Sequence, residues 1–299
     1  MPKQKKTQSR PKPLYRVKNW SDYDKALVQR GSIPSWLTDE FEREWRHSGE
    51  KQRGSQFDYS DQAILVMLTV KEVFHLTNRQ TEGFMRSLFA LMKVDLPVPD
   101  HSTLSKRGKD LKVNLPKKSS QRLNIVMDST GLKIYGEGEW KIRQHGVSKR
   151  RTWRKLHVGV NPEDGEVQAV ILTENSVSDG DAVETLLQQI EQEIDKFAAD
   201  GAYDKRKVYD SLNAHSPEVD ILIPPRKNAR IWKHGNIKTQ RLKRDENLRS
   251  IRKQGRQEWK KRSGYHVRSL AETSMFRLKT IFGDGLSARL IETQTTQAL

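Results

Sequence analysis

Apolar residues between positions 58 and 111 recur at spacings of three and four, as at Leu65 and Leu68. This spacing is typical of amphipathic helices. Asn78 and Asp100 are expected to cap the starts of two of these helices, because a short polar side chain can accept hydrogen bonds from the free N–H groups of a first turn. We therefore predict a small helical domain in this region.

Two of these short helices could form a helix-turn-helix, in which the second helix contacts DNA. Residues that suit contacts with phosphates or base edges follow Asp100, and they are Ser102, Thr103, Ser105, Lys106 and Arg107. A purely structural helical domain would show the same apolar spacing, so both interpretations stay open.

From Asn124 onward the apolar pattern changes to that of β-strands. Strands are predicted at 125–127, 153–160 and 166–172, and residues typical of turns separate the last two. The connections are short, which favours an antiparallel arrangement of three successive strands.

An apolar stripe at helical spacing follows and predicts a helix over 179–194. A fourth strand is expected at 196–199, a shorter helix at 205–212 and a fifth strand at 219–223, before a basic stretch and a long helix. Three antiparallel strands followed by alternating helices and strands make a mixed sheet flanked by helices. This order matches the ribonuclease-H-like fold, so we predict an α/β chain of that class with an N-terminal helical domain.

The composition adds a strong positive charge, formally +17 at pH 7. Lys and Arg gain affinity for nucleic acid by displacing its condensed counterions, so nucleic acid is a better partner than an anionic membrane surface. The charge is concentrated, with seven basic and no acidic residues in 1–18, and eighteen basic against four acidic residues in 226–279. Such clustering favours a shaped nucleic-acid surface, although a solvated helix face is the simpler alternative.

The composition also excludes several classes of protein. The chain has no cysteine, so it cannot form a disulfide, a Cys-ligated zinc site or a thiol nucleophile. The longest apolar stretch, 63–70, is far shorter than the ~20 residues that span a bilayer, and the basic N-terminal segment lacks the apolar region of a secretory signal. We expect a protein of the cytoplasm without a membrane partner.

Two acidic residues follow apolar runs in the same way. Asp128 comes after Ile-Val-Met and is predicted to end the first strand, with Gly131 allowing another backbone to approach closely. Asp200 comes after Phe-Ala-Ala and is predicted to end the fourth strand. These two strands are neighbours in the predicted fold, so the two carboxylates would lie side by side. For either residue alone, capping of the turn after its strand would be a sufficient explanation.

A third carboxylate lies on the predicted C-terminal helix. Four residues there would share one helix face, within an arc of roughly 60° at ~100° per residue, and they are Tyr265, Arg268, Glu272 and Lys279. Glu272 could serve as a metal ligand, and Arg268 could hold a phosphate through two hydrogen bonds. An ordinary ion pair between Arg268 and Glu272 is the simpler interpretation. Three carboxylates from separate elements suit two divalent ions about 4 Å apart, which is the arrangement used for phosphoryl transfer.

These residues resemble the bacterial insertion-sequence transposases of the Asp-Asp-Glu type, specifically those with the Tyr-Arg-Glu-Lys signature, Y-x2-R-x3-E-x6-K. The signature is complete from Tyr265 to Lys279. The match also includes DSTGLK at 128–133, DGAYD at 200–204 and SLAETSMFRLKTIFG at 269–283. It covers most of the chain from about Tyr15 and looks like insertion-sequence family five. Three motifs in the correct order are more specific than any one of them alone.

The resemblance implies a catalytic domain that binds Mg²⁺ or Mn²⁺, as two ions, through Asp128, Asp200 and Glu272. It also implies hydrolytic nicking of transposon ends, followed by attack of the freed 3′-hydroxyl on target DNA. Double-stranded DNA, as terminal inverted repeats and as target, is then the partner. Two ends must be held together, so we expect a homodimer on DNA in the bacterial nucleoid.

The resemblance assigns contacts with terminal phosphates to Tyr265, Arg268 and Lys279. Some relatives stack a flipped end base on a tryptophan before the last helix, which makes Trp232 a candidate for that role. Members of the family usually continue into a further C-terminal helix, whereas this chain stops at Leu299.

We predict five segments along the chain. They are a flexible basic arm (1–18), a helical DNA-binding domain (19–118), the first part of the catalytic core (119–225), a basic insertion (226–262) and the C-terminal part of the core (263–299). Two other functions remain open. One is a ribonuclease-H-like nuclease, such as a resolvase, that cuts DNA and joins nothing; the other is a DNA-binding regulator of its element that does not cut.

Overall fold

The computed structural model describes residues 39–49, 57–113, 115, 122–134, 153–233 and 242–299, with three isolated positions nearer the N-terminus. The predicted basic arm and residues 234–241 of the predicted insertion lie outside this part of the chain. The chain divides into two compact units, residues 1–63 and 64–299. No helix in the described ranges combines the length and the apolar character that crossing a membrane requires.

The first unit contains helix α1 (Asp39–Trp45). An isolated antiparallel bridge joins Arg46 to Tyr59 just after it. Trp45 is 1% exposed, so this short helix is anchored by a large buried side chain.

Three helices occupy the region that was predicted to be helical, namely α2 (Asp61–Val73), α3 (Asn78–Met92) and α4 (His101–Asp110). Asp100 caps α4 as predicted, because its carboxylate accepts hydrogen bonds from the N–H groups of Ser102 and Thr103 at 2.7 and 2.8 Å. The prediction for Asn78 was wrong by one residue. Thr77 is the cap of α3 and forms a reciprocal capping box with Gln80.

The connection between α3 and α4 runs from residue 93 to residue 100. It is longer than the three- or four-residue turn of a helix-turn-helix. α3 and α4 pack against each other, and the DNA-contacting role of Lys106 and Arg107 stays a prediction.

The second unit is built on a mixed sheet. Its strands are β1 (Arg122–Ile134), β2 (Trp153–Val160), β3 (Val167–Glu174), β4 (Glu193–Ala198), β5 (Asp220–Leu222) and β6 (Gly285–Leu286). The order across the sheet is β3-β2-β1-β4-β5, with β6 also beside β1. Neighbours are antiparallel from β1 to β3, whereas β4 runs parallel to β1 and β5 parallel to β4. The predicted ribonuclease-H-like arrangement is confirmed.

Helices cover both faces of this sheet. They are α5 (Asp179–Leu187), α6 (Arg206–His215), α7 (Lys243–Gln254), α8 (Arg256–Ser263), α9 (Ser269–Phe282) and α10 (Ile291–Ala298), and 3-10 turns span Gly201–Tyr203 and Tyr265–Arg268. Ile125 and Met127 of β1 pack into one core with α5 and α6. Val126 packs on the opposite face, with Tyr265 and Ala271. Alternate residues of β1 therefore serve two cores, and Asp128 lies on the Val126 side.

Several predicted boundaries differ from the structure. The helix predicted over 179–194 ends at Leu187, and Ile194 belongs to β4. Ile194 is buried, so it continued the apolar stripe, and apolar spacing alone does not distinguish a helix from a short buried strand.

Strand β1 continues six residues past Asp128, so the prediction that this residue ends the strand was wrong. In this extension Ser129 lies opposite His157 of β2, and Gly131 lies opposite Lys155. Polar residues therefore continue in the paired strands past Asp128. A Cβ atom on Gly131 would meet the ring of Trp153 at 3.2 Å. The glycine thus accommodates a side chain and not the backbone that we expected.

The C-terminal region also differs from a single long helix. Tyr265 to Arg268 form a separate 3-10 turn ahead of α9, so a constant 100° per residue does not describe the whole signature. Helices α7 and α8 lie in the predicted basic insertion, and α10 follows α9, where no further helix was expected.

Candidate active site

The sheet register places Asp128 and Asp200 side by side. Strands β1 and β4 are parallel, and Val126 lies opposite Ala198. Asp128 and Asp200 each follow that pair by two residues, so they reach the same level of the sheet, as the predicted strand order required. Asp200 also starts the 3-10 turn, where its Oδ1 accepts a hydrogen bond from the N–H of Ala202 at 2.8 Å.

Glu272 joins this site through an arginine. It lies in the first turn of α9, and Arg268 ends the preceding 3-10 turn. The guanidinium of Arg268 donates to Asp128 Oδ2 at 3.0 Å and also forms an ion pair with Glu272. The ion pair that the sequence left open is therefore present, and it is part of a bridge from the helix to the sheet.

The charges at the site act on one another. Burial raises the pKa of Asp128, whose side chain is 16% exposed, and the N–H of Ser129 and the charge of Arg268 only partly offset this effect. The carboxylates of Asp200 and Glu272 raise the pKa of Asp128 further. All three carboxylates thus lie within electrostatic range of one another, in an environment that favours an added cation.

The donor set suits a hard divalent ion, because Mg²⁺ and Mn²⁺ prefer carboxylate oxygens. Within the described ranges, no three acidic or histidine side chains converge closely enough to bind one ion. The guanidinium of Arg268 already lies against two of the three carboxylates. Its positive charge therefore offsets part of the negative charge of Asp128 and Glu272.

A family model described as "Transposase DDE domain" matches residues 119–299, which is more than half of the chain and includes all three carboxylates. A second model with the same description matches residues 28–137. This chain belongs to the DDE-domain transposases.

Two solved structures are similar to this transposase. One is titled "Drosophila P element transposase strand transfer complex", with 12% identity, a TM-score of 0.32 and coverage of 66% of this chain and 47% of that chain. The other is titled "Crystal structure of a pre-cleavage Mos1 transpososome", with 11% identity, a TM-score of 0.22 and coverage of 70% and 68%. The transposase chain thus spans about half the length of the first of these structures.

A second polar cluster lies beside the site of the transposase, and the sequence did not predict it. The hydroxyl of Ser129 donates to Asp179 Oδ1 at 2.8 Å, and Lys155 Nζ lies 3.3 Å from the same oxygen. His157, fully buried, faces Asp179 with its Nδ1 at 3.8 Å, and burial lowers the pKa of His157. The signal was the alternation of Lys155 and His157 along β2, next to an acid in the first turn of α5. This cluster ties the strand segment after Asp128 to that helix.

Tyr265 of the transposase is mostly core. Its side chain is 6% exposed, with the ring of Trp259 at 5.6 Å and the ammonium of Lys260 at 5.2 Å. Burial raises the pKa of Tyr265 to about 12. Lys279 lies farther along α9, where its charge lowers the pKa of Asp284 after the larger effect of Lys133. Contacts of Tyr265 and Lys279 with DNA stay predictions.

Trp232 is packed by protein groups on more than one side. Tyr209 makes an edge contact at 5.5 Å between ring centres, and the guanidinium of Arg244 lies 3.8 Å from the indole centre. Arg206 lies 5.3 Å from the same ring. The indole is half-buried, and stacking on a DNA base stays a prediction for this residue.

Part of the basic region serves the protein itself. Four arginines of α7 and α8 donate hydrogen bonds to backbone carbonyl groups of residues 225–233, and they are Arg244, Arg249, Arg252 and Arg256. These hydrogen bonds attach the loop of residues 225–233 to helices α7 and α8. Arg226, Lys227 and Arg230 of the same loop are exposed.

Proposed function

We propose that this transposase binds transposon ends, nicks DNA by metal-assisted hydrolysis and joins the freed 3′-hydroxyl to target DNA. The main support is that Asp128 on β1 and Asp200, two residues past the end of the parallel strand β4, lie at the same level of the sheet, with Glu272 linked to Asp128 through Arg268. Three oxygen ligands from a strand, a turn and a helix are the donor set that two-metal phosphoryl transfer needs.

Asp128, Asp200 and Glu272 would hold two Mg²⁺ or Mn²⁺ ions. Such ions, when bound, activate the attacking oxygen and stabilise the leaving oxygen. Burial keeps Asp128 away from bulk water, which strengthens its interaction with a cation. Arg268 lies against two of these carboxylates, and its guanidinium would also be able to hold a phosphate through two hydrogen bonds.

The spacing of Tyr265, Arg268, Glu272 and Lys279 supports membership of insertion-sequence family five within the DDE transposases. DNA in the form of terminal inverted repeats and target is the proposed partner. Further contacts are proposed for Lys279, Lys106 and Arg107 with phosphates and for Trp232 with a base. A homodimer would hold two ends together in the bacterial cytoplasm.

The decisive experiment uses labelled end DNA of the parent element and a target plasmid with Mg²⁺. Asp128→Ala, Asp200→Ala and Glu272→Ala should each abolish cleavage, because each removes a ligand, while end binding stays largely intact. Asp195→Ala is the matched control, since this acid on β4 is half-exposed and pairs with Arg122.

The products distinguish the alternatives. Joined products support a transposase, cut products without joining indicate a nuclease, and retarded complexes without cutting indicate a regulator. Cleavage that persists in any of the three variants would contradict the assignment of the site.

A further inference from the structure

The turn that carries Asp200 is fixed to the protein at several points. Tyr203 is 1% exposed and lies in the main core. A Cβ atom at Gly201 would meet the carbonyl oxygen of Pro224 at 3.2 Å, so the turn lies close against the chain after β5. The N–H of Asp204 donates to the carbonyl of Gly201 at 3.3 Å and ends the turn.

The side chain of Asp204 continues this attachment through a buried ion pair. Arg244 Nε lies 2.8 Å from Asp204 Oδ1, and Arg244 Nη2 lies 3.2 Å from Asp204 Oδ2. Both side chains are 3% exposed. The two parallel hydrogen bonds fix the plane of the carboxylate as well as its distance, which a single ion contact does not do.

Arg244 has a second carboxylate partner, Asp245, which binds the loop that contains Trp232. Its Nη1 lies 3.2 Å from Asp245 Oδ1, and the Asp245 carboxylate accepts hydrogen bonds from the N–H groups of Trp232 and Lys233. Burial alone would lower the pKa of Arg244, but the hydrogen bonds to Asp204 and Asp245 and the charge of Asp204 raise it overall. Arg244 therefore connects the turn of Asp200 to helix α7 and to the loop of Trp232.

We propose that Asp204 and Arg244 are positioning residues, whose buried ion pair sets the orientation of the Asp200 carboxylate for metal binding. This inference rests on the proposed function, in which Asp200 is a metal ligand. Asp204 ends a turn of five residues that begins at Asp200, so a change in the direction of its side chain moves the backbone that carries the ligand. Partners that orient a metal ligand commonly change metal affinity by about 10- to 100-fold when they are removed.

Asp204→Asn and Asp245→Asn form a matched pair of variants. Each leaves Arg244 with one carboxylate, and both acids are almost fully buried. Only the first variant weakens the attachment of the Asp200 turn. The measurements are Mn²⁺ affinity of the full chain with a bound DNA duplex, by electron paramagnetic resonance, and the melting temperature of each variant. Asp200→Ala tests the ligand itself.

We expect Asp204→Asn to weaken Mn²⁺ binding about tenfold, and Asp245→Asn to leave it nearly unchanged at a similar loss of melting temperature. Equal Mn²⁺ affinities in the two variants would overturn the positioning role, because stability alone would then explain the effect. If Asp204→Asn does not fold, the double variant Asp204→Asn/Arg244→Gln replaces it with a neutral hydrogen-bonded pair, and the same loss of affinity is expected. Unchanged Mn²⁺ binding in Asp200→Ala would instead contradict the proposed function.

Discussion

The fold disfavours the charged form of the Asp128 carboxyl group. Burial raises the pKa of its carboxyl group, and the hydrogen bond from Ser129 and the charge of Arg268 do not reverse this shift. The folded protein therefore binds a proton at Asp128 more readily than the unfolded chain does, and the ionised group lowers the free energy of unfolding at neutral pH.

Asp128→Asn should raise the free energy of unfolding of the metal-free protein at pH 7, by on the order of 1 kcal/mol. The amide has nearly the same shape and carries no charge. The difference should shrink as the pH falls through the raised pKa of Asp128, because the wild-type side chain then becomes neutral as well. Urea denaturation in EDTA at several pH values measures both effects.

Asp195→Asn is the control for this comparison, because Asp195 is half-exposed and belongs to a surface ion pair with Arg122. Its substitution should change the free energy of unfolding little. A loss of stability in Asp128→Asn at every pH would show that the contact with Arg268 outweighs the cost of burial.

Among the elements, the helix caps show how much of the fold local chemistry determines. Asp100 was predictable as a cap because its short carboxylate side chain comes at the start of a predicted helix, where the N–H groups of the first turn have no partners within the helix. Thr77 was missed in favour of Asn78, since both residue types cap well and only the backbone geometry distinguishes them. At Thr77 the backbone is extended, whereas Asn78 is already helical.

Asp100→Ala should lower the free energy of unfolding by about 1 kcal/mol at pH 7, while Asp100→Asn should lower it much less, because asparagine caps nearly as well as aspartate. Hydrogen bonds from Ser102 and Thr103 lower the pKa of Asp100 from 3.8 to about 2. The contribution of the charged cap is therefore complete above about pH 4 and is lost as the pH falls towards 2.

Chemical denaturation across this pH range tests the effect of the Asp100 cap. Asn78→Ala is the matched control and should leave the stability of α3 nearly unchanged, since Thr77 and Gln80 make the capping box. An equal loss of stability in Asn78→Ala and Asp100→Ala would contradict the assignment of these caps.

The strand order was predictable because alternation and turn residues marked β1 to β5, and the order then made Asp128 and Asp200 neighbours. Helices α7 and α8 were not predictable, because arginines that bind carbonyl groups look like solvent-facing charge in a sequence. The contact of Arg268 with Asp128 spans 140 positions and depends on how α9 packs on the sheet. The pair of Asp204 and Arg244 depends in the same way on long-range packing.

For the molecule as a whole, the net charge of +17 overstates the surface offered to DNA. Arg244, Arg249, Arg252 and Arg256 are engaged with backbone carbonyl groups. The cations that face solvent in this loop, including Arg226 and Lys227, are better placed to contact phosphates. A count of basic residues would thus predict too steep a dependence of DNA binding on salt.

Replacing Arg226 and Lys227 together by alanine should reduce the slope of log K against log salt by about 1 to 2, because each phosphate contact contributes about 0.9. Arg256→Ala is the comparison, since it removes the same charge from a residue that binds a carbonyl group; it should lower thermal stability and leave the slope nearly unchanged. Titrations of a DNA duplex at several salt concentrations measure the slope. Equal slopes in the two variants would show that engagement with the backbone does not distinguish these cations.

The edge of β1 that faces away from β2 has two different partner strands. It pairs with β4 over residues 122–126 and with β6 over 133–134. Among the described strands, none pairs with residues 128–132 on that side. Asp128 therefore lies just past the last β1 residue that pairs with β4, at the level of the turn that begins at Asp200. Because no strand pairing joins residues 128 and 200 directly, the turn after β4, and not the hydrogen bonds of the sheet, sets the distance between the two carboxylates.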